Sequence, residues 1–399
     1  MDAKPAPRGG LTAPRSVRDL LNNEGVRGIL YQILVFGLVA LGAWYLVGNT
    51  LENLERQQIA TGYGYLELEA SFGISETPIA YDPSDTYSRA LLVGVVNTVK
   101  VSVLGIILAT ILGILFGIGR LSTNWLVRVL STIYVDAFRN IPVLIQLIFW
   151  YSVINNVFPG PRNAMNPIGD VFLTNRGIFV PMLAGHPAYA YAAVAALIGL
   201  GGAFYLRRWA VKRQEATGQP FPVLSASIAM IIVCAVLGWA VGGAPTEISV
   251  PALKGFNFDG GWRMTPEFAA VLIGLTVYTS TFIAEVVRSG IQAVPKGQWE
   301  AADSLGLRRS YVMRLVILPQ SMRVAIPPLT NQYLNLTKNS SLAVAVGYPD
   351  LVSISNTTLN QTGQAIEAIS IFMSIYLGLS ILTSVFMNWF NKKMALVER

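Results

Sequence analysis

Apolar positions in this chain gather into long runs separated by charged or Gly- and Pro-rich stretches. Eight runs stand out, near 29 to 48, 90 to 118, 129 to 155, 187 to 206, 224 to 243, 266 to 286, 324 to 349 and 366 to 390. Each is long enough to cross a bilayer as a helix, which takes about 20 residues because lipid offers the backbone no hydrogen-bond partner. The second, third and seventh are longer or carry polar residues, so parts of them can lie at an interface. Gly and Pro cluster at 159 to 168 and 242 to 261, which predicts outer loops built from turns. The expected fold class is an all-α integral membrane protein with about eight transmembrane helices.

Charge orients these spans, because Lys and Arg in short loops stay on the cytoplasmic side. With the N-terminus inside, most of the basic residues fall in inner segments: Lys4, Arg8, Arg15, Arg18 and Arg27, then Arg120 and Arg128, then the group at 207 to 213, then Arg288 to Arg323, then Lys392, Lys393 and Arg399. The outer region 49 to 88 is instead acidic, with Glu52, Glu55, Glu67, Glu69, Glu76, Asp82 and Asp85. Both termini are expected in the cytoplasm. The first run follows a lead of 28 residues with no small-residue cleavage site after it, so it reads as a retained span and not a secretory signal.

Composition agrees and narrows the chemistry. A chain of 399 residues that is 53% hydrophobic and 13% charged, with mean hydropathy +0.51, is too apolar for an ordinary soluble enzyme. The net charge of +7 follows from membrane topology and calls for no nucleic acid. One cysteine, Cys234, excludes an intrachain disulfide framework or a Cys-based zinc site. With His186 as the single histidine, a catalytic triad or His-rich metal centre has little to build on.

The most informative stretch runs from Glu285 to Arg323. Pro295, Lys296 and Gly297 make a turn, Gln298 to Leu305 can form a short helix, and Gly306 suits the left-handed position that ends it. A second helical stretch is expected from Ser310 to Ile317, stopping at Pro319. Trp299, Ala302 and Leu305 would give the resulting knob an apolar side and Arg308, Arg309 and Arg314 a charged one, a shape suited to a groove on a cytoplasmic partner.

Glu300, Ala301 and Ala302, with Gly306 four residues on and Val316-Ile317-Leu318-Pro319 beyond, resemble the EAA loop of binding-protein-dependent ABC import permeases; Val316 replaces a usual Ile. Arg139 to Gln146 (RNIPVLIQ), Ile283 to Ile291 (IAEVVRSGI) and Asn335 to Leu342 (NLTKNSSL) resemble further segments of its polar amino acid branch. The resemblance implies a five-helix type I importer core, and a coupling loop in which Gln298, Glu300, Ala301, Ala302, Gly306, Leu318 and Pro319 dock on an ATP-hydrolysing subunit. It divides the chain into a cytoplasmic segment 1–28, an added first helix 29–48, a periplasmic segment 49–89, core 90–155, inserted loops with an extra helix pair 156–265, core 266–390 including the loop 287–323, and a tail 391–399. This layout is similar to the first membrane subunit of the broad-specificity L-amino acid importers of the Aap/Bzt type. Implied partners are a second homologous permease, two ATP-binding subunits carrying ATP and Mg, a periplasmic amino-acid-binding protein, the amino acid substrate and membrane lipid, in a bacterial inner membrane. No cofactor is expected in this chain, and it has no GxxxxGK[ST] loop of its own.

Charges inside spans are costly unless they face a cavity or partner, which makes Lys100, Arg139 and Lys338 candidates. Lys338, beside Asn335, Ser340 and Ser341, could receive a substrate carboxylate; it could equally snorkel or pair with Asp350 or Glu367. Arg139, Gln146, Asn335, Lys338, Ser340 and Ser341 form the candidate substrate path. Pro327-Pro328 could kink the seventh run, and Gly113 with Gly117 could bring two helices close. The alternatives are an ion-coupled secondary amino acid transporter, which leaves the EAA loop unexplained, and a membrane-bound enzyme, for which no acid, base or metal constellation is found.

Overall fold

Long helices dominate the computed structural model, which describes residues 24–57 and 61–394. In chain order they are α1 (Glu24–Arg56), α2 (Tyr87–Gly119), α3 (Trp125–Arg139), α4 (Val143–Val157), α5 (Ala188–Thr217), α6 (Val223–Val241), α7 (Pro266–Gln292), α8 (Lys296–Ser304), α9 (Leu318–Asn339), α10 (Leu351–Thr362) and α11 (Ala365–Met394). Expectations for the chain ends, including Lys4, Arg8, Arg15, Arg18 and Arg399, lie outside the described residues.

Among the described residues, six helices are long and apolar enough to cross a membrane: α1, α2, α5, α6, α7 and α11. The bent pair α3 and α4 makes up to seven if it is one span. Two of the eight expected runs therefore differ from simple spans. The run at 129 to 155 breaks by 103° between Arg139 and Val143, where Pro142 lacks an N–H and pushes Ile141 out of the helical region. Gln146 closes this corner: its Nε2 donates to Phe138 O (2.8 Å) and Ile141 O (3.0 Å). The run at 324 to 349 is the end of α9 followed by a 3-10 helix, Ser340–Val346; α9 is interrupted by Gln320, Arg323, Asn331, Gln332, Asn335 and Lys338 and is less apolar than the six spanning helices. It nevertheless runs unbroken past Pro327 and Pro328.

The chain is mostly helical but not all-α. The inserted region carries eight short strands. One antiparallel sheet has the order β1 (Met165–Ile168), β2 (Val171–Thr174), β3 (Gly177–Val180), β8 (Trp262–Met264), and joins the two ends of the insert through Ile178 opposite Met264. Strand β4 (Met182–Leu183) pairs with β5 (Ile248–Ser249), and β6 (Ala252–Lys254) pairs with β7 (Asn257–Asp259). Open strand edges of this kind are stable where water can solvate them, so these strands belong to a loop region outside the bilayer. Between them, α5 and α6 form a hairpin.

The core gathers around α2, α7 and α9. Val101, Leu147, Phe268, Leu275, Ile283 and Leu336 are buried together with Tyr348. Gly113 and Gly117 let α2 and α7 touch: a Cβ on Gly113 would sit 2.5 Å from Ile283 Cγ2, and one on Gly117 2.8 Å from Ala284 O. The segment before α2 packs onto the bundle through Tyr65 and Ala70, which cluster with Tyr87 of α2 and with Leu351 and Ile354. It also delivers Glu76 to Lys100, whose side chain is only 23% exposed. Glu76 Oε2 accepts from Thr265 Oγ1 at 2.6 Å, and Lys100 Nζ lies 4.2 Å from the centre of the Phe268 ring. The same Thr265 caps α7 by accepting from Phe268 N, so one hydroxyl fixes both the helix start and the ion pair.

Candidate functional site

Two places concentrate the candidate residues: the loop between α7 and α9, and a cavity where α9 meets α10 and α11.

In the loop, Pro295 starts α8 without spending an N–H that a helix start leaves unpaired anyway. The helix covers nine residues, Lys296–Ser304, close to the span the sequence predicts. Trp299 and Ala302 turn inward onto Ile291, Val294, Val312 and Ile317. Leu305 does not join them; it is 78% exposed, because the helix ends at Ser304 and the backbone turns away there. Gly306 follows with φ +67° and open space around it. That conformation costs other residues about 1–2 kcal/mol, so the chain uses the residue without a Cβ. Glu300 and Ala301 are exposed on the outer face of α8, and Gln298 Oε1 accepts from Gln320 Nε2 at 3.1 Å.

The expected stop at Pro319 is absent. Residues 309 to 317 coil through a turn and a π-helical segment, Val312–Ile317, straight into α9. Pro319 sits in the first turn of α9, where the wide π turns before it spare its ring a clash and its missing N–H is tolerated. Leu318 is exposed beside it. The π-helical segment is thus joined to α9 without a loop between them, while α8, set off by the turn at 305–308, rests on that segment through Trp299 and Ala302 against Val312 and Ile317.

An ion-pair network braces the same end of the bundle. Arg120 Nη1 donates to Glu285 Oε2 at 2.8 Å, Arg288 holds both oxygens of that carboxylate, and Asp136 lies 3.8 Å from Arg120. The network joins α2, α3 and α7 just ahead of α8. A carboxylate inside the sixth apolar run is the signal that could have flagged Glu285.

At the second place, Lys338 and Ser341 line a cavity of about 460 Å³ with Val352, Phe372, Met373 and Tyr376. Among the described residues no carboxylate lies within ion-pair distance of Lys338. Asp350 instead caps α10 by accepting from Ser353 N and takes a hydrogen bond from the Tyr376 hydroxyl at 3.2 Å. Glu367 accepts from Gly62 N. Ser341 Oγ donates to Lys338 O, and the buried Ser340 Oγ to Thr337 O, each at 2.7 Å.

The other candidates are placed elsewhere. Asn335 is exposed on α9. Gln146 is buried at the corner between α3 and α4, and Arg139, exposed, lies over the Phe282 ring at 5.2 Å. Lys100 is held by Glu76. Phe372, Met373 and Tyr376 escape sequence reading because they look like ordinary members of an apolar run.

The comparisons with known proteins bear on both places. Residues 217–396, which include the whole loop and the Lys338 cavity, match the family described as binding-protein-dependent transport system inner membrane component. The chain is 48% identical over 384 residues to the general L-amino acid transport system permease protein AapQ of Rhizobium johnstonii, covering 96% of each. The chain belongs to the binding-protein-dependent ABC import permeases. Similarity of this extent continues to the putative amino-acid ABC transporter permease protein YhdX of Escherichia coli, 48% identical over 94% of this chain and 96% of that one. It continues to the glutamate/glutamine/aspartate/asparagine transport system permease protein BztB of Rhodobacter capsulatus, 39% identical over 95% and 96%. The permease is therefore the membrane component of an ABC importer, which the family membership favours over an ion-coupled transporter.

Proposed function

We propose that this permease forms, with a second homologous permease, the translocation path for L-amino acids in a bacterial inner membrane, and that two separate subunits hydrolyse ATP to drive it. In this reading the chain has the five-helix importer core plus α1 and the α5–α6 hairpin, both termini lie in the cytoplasm, and a soluble periplasmic protein delivers the substrate. The observation that carries it is α8: a short helix with Glu300, Ala301 and Leu305 outward, Ala302 inward, followed by a left-handed Gly306 and packed on the helical segment that runs into α9. This is the geometry of a part that docks on a moving partner and transmits its motion. Lys338 is the substrate-facing cation, with Ser341 and Tyr376 beside it in the cavity. The full-length similarity to amino acid permeases supports the substrate class.

Reconstitution tests the reading. Proteoliposomes holding both permeases and the ATPase, given the binding protein and L-amino acids, accumulate substrate only with ATP and continue to do so when an uncoupler collapses the ion gradients. Uptake that persists without the ATPase, or that stops with the uncoupler at constant ATP, supports an ion-coupled carrier instead. In the same assay Lys338→Met raises the half-saturating amino acid concentration about tenfold, the worth of one hydrogen bond to a charged group. An unchanged concentration dependence assigns Lys338 a structural part.

A further inference from the structure

Beside α8 lies a cavity of about 780 Å³ whose lining mixes two cations and two hydroxyls, Lys296, Arg309, Ser122 and Thr123, with apolar side chains. Among the described residues no carboxylate lies within ion-pair distance of either cation, and the acidic residues of α8, Glu300 and Asp303, do not line the cavity. A second cavity of about 340 Å³ adjoins it between α2, α7, α9 and α11. Ile118, Ile291 and Met313 line both, so the two share a wall. The second is almost wholly apolar, walled by Ile114, Ile283, Leu329, Phe386 and Phe390. A cationic, hydroxyl-bearing cavity that adjoins an apolar slot between membrane helices across the side chains of Ile118, Ile291 and Met313 matches the two ends of a single amphiphile.

We propose that this composite cavity is a site for a phospholipid with an anionic headgroup, its phosphate held by Lys296 and Arg309 near the Ser122 and Thr123 hydroxyls, and an acyl chain entering the slot past Ile118 and Met313. Cations at a membrane surface attract anionic lipid, and guanidinium and ammonium groups are the side chains that take phosphate oxygens. The apolar slot distinguishes this occupant from a soluble phosphate, because burial of methylenes adds to binding in proportion to area. Bound there, the lipid wedges α8 against the ends of α2 and α7. The inference rests on the membrane placement of the permease and not on docking of the ATPase, so capture of the ATPase and retention of lipid can fail separately.

The assembled importer, extracted from vesicles of equal dioleoylphosphatidylglycerol and dioleoylphosphatidylcholine, is examined by native mass spectrometry for lipid that stays bound. The expected result is enrichment of phosphatidylglycerol, reduced about fivefold for each cation removed in Lys296→Gln and Arg309→Gln, and retained in Lys296→Arg. Glycerol phosphate at millimolar concentration does not displace it. Equal retention of the two lipids, or enrichment that survives in a double Gln variant, overturns the proposal. Displacement by glycerol phosphate also overturns it by assigning the site to a soluble phosphate. The lipid preference and the competition are read on the unaltered importer, so they decide the matter even if a variant fails to assemble.

Discussion

Helices α6 and α7 are similar as strings of letters and opposite as parts of the molecule. Their most apolar windows have mean hydropathy 2.4 and 1.8, yet none of the α6 window is buried inside the protein and 61% of the α7 window is. The less hydrophobic helix is the one at the centre. In lipid the surroundings are as apolar as any core, so hydropathy reports contact with the bilayer, while small and hydroxyl-bearing residues report contact between helices. Helix α7 buries Thr276, Thr279, Ser280 and Thr281 and presses against the glycines of α2. Helix α6 buries none of its side chains fully and, among the described residues, packs chiefly on α5.

The comparison predicts where substitutions hurt. The largest loss of stability is expected at the ion pair that pins the segment before α2 onto the start of α7. Lys100→Met leaves Glu76 without its partner in a site only 10% exposed, at a cost of up to about 3 kcal/mol, measured as a fall in the unfolding midpoint of the purified importer; Glu76→Gln in the same chain restores part of it. Next comes the α2–α7 contact. Gly113→Val drives a methyl group into Ile283 and costs about 1–3 kcal/mol by overpacking, seen in the same melting assay. If Gly113→Val left the midpoint unchanged, the close approach of the two helices would be wrong. The smallest effect is expected on the hairpin: Leu237→Ala, at a side chain 59% exposed, changes stability by less than about 0.5 kcal/mol and leaves uptake intact. A large effect there would mean that α6 packs against something besides lipid.

Much of this arrangement is legible from residues alone, and the exceptions have physical causes. The turn at Pro295, the helix that follows and the glycine that ends it are local features, set by backbone preferences over a dozen residues. Leu305 faces outward, against the helical spacing, because the helix ends one residue before it. The corner at Pro142 was hidden in a continuous apolar run, although a proline preceded by Asn140 and Ile141 carries the signal for it. Strands of two to four residues in the insert are too short for their alternation to show. The Lys100–Glu76 pair joins a span to a loop, and no sequence rule brings those two residues together. The Lys338 cavity was half visible: its cation and hydroxyl stand out, while Phe372, Met373 and Tyr376 do not.

The proposed function requires that α8 face the cytoplasm and be covered there by the ATPase. In a Cys234→Ser chain, where no other thiol remains, Glu300→Cys provides a single probe on the exposed face of α8. A membrane-impermeant maleimide is predicted to label it in inverted vesicles lacking the ATPase, to be blocked when the ATPase subunit is added, and to leave it untouched in intact cells with a permeabilised outer membrane. Labelling from outside such cells, or labelling in inverted vesicles that is indifferent to the ATPase, would contradict the account.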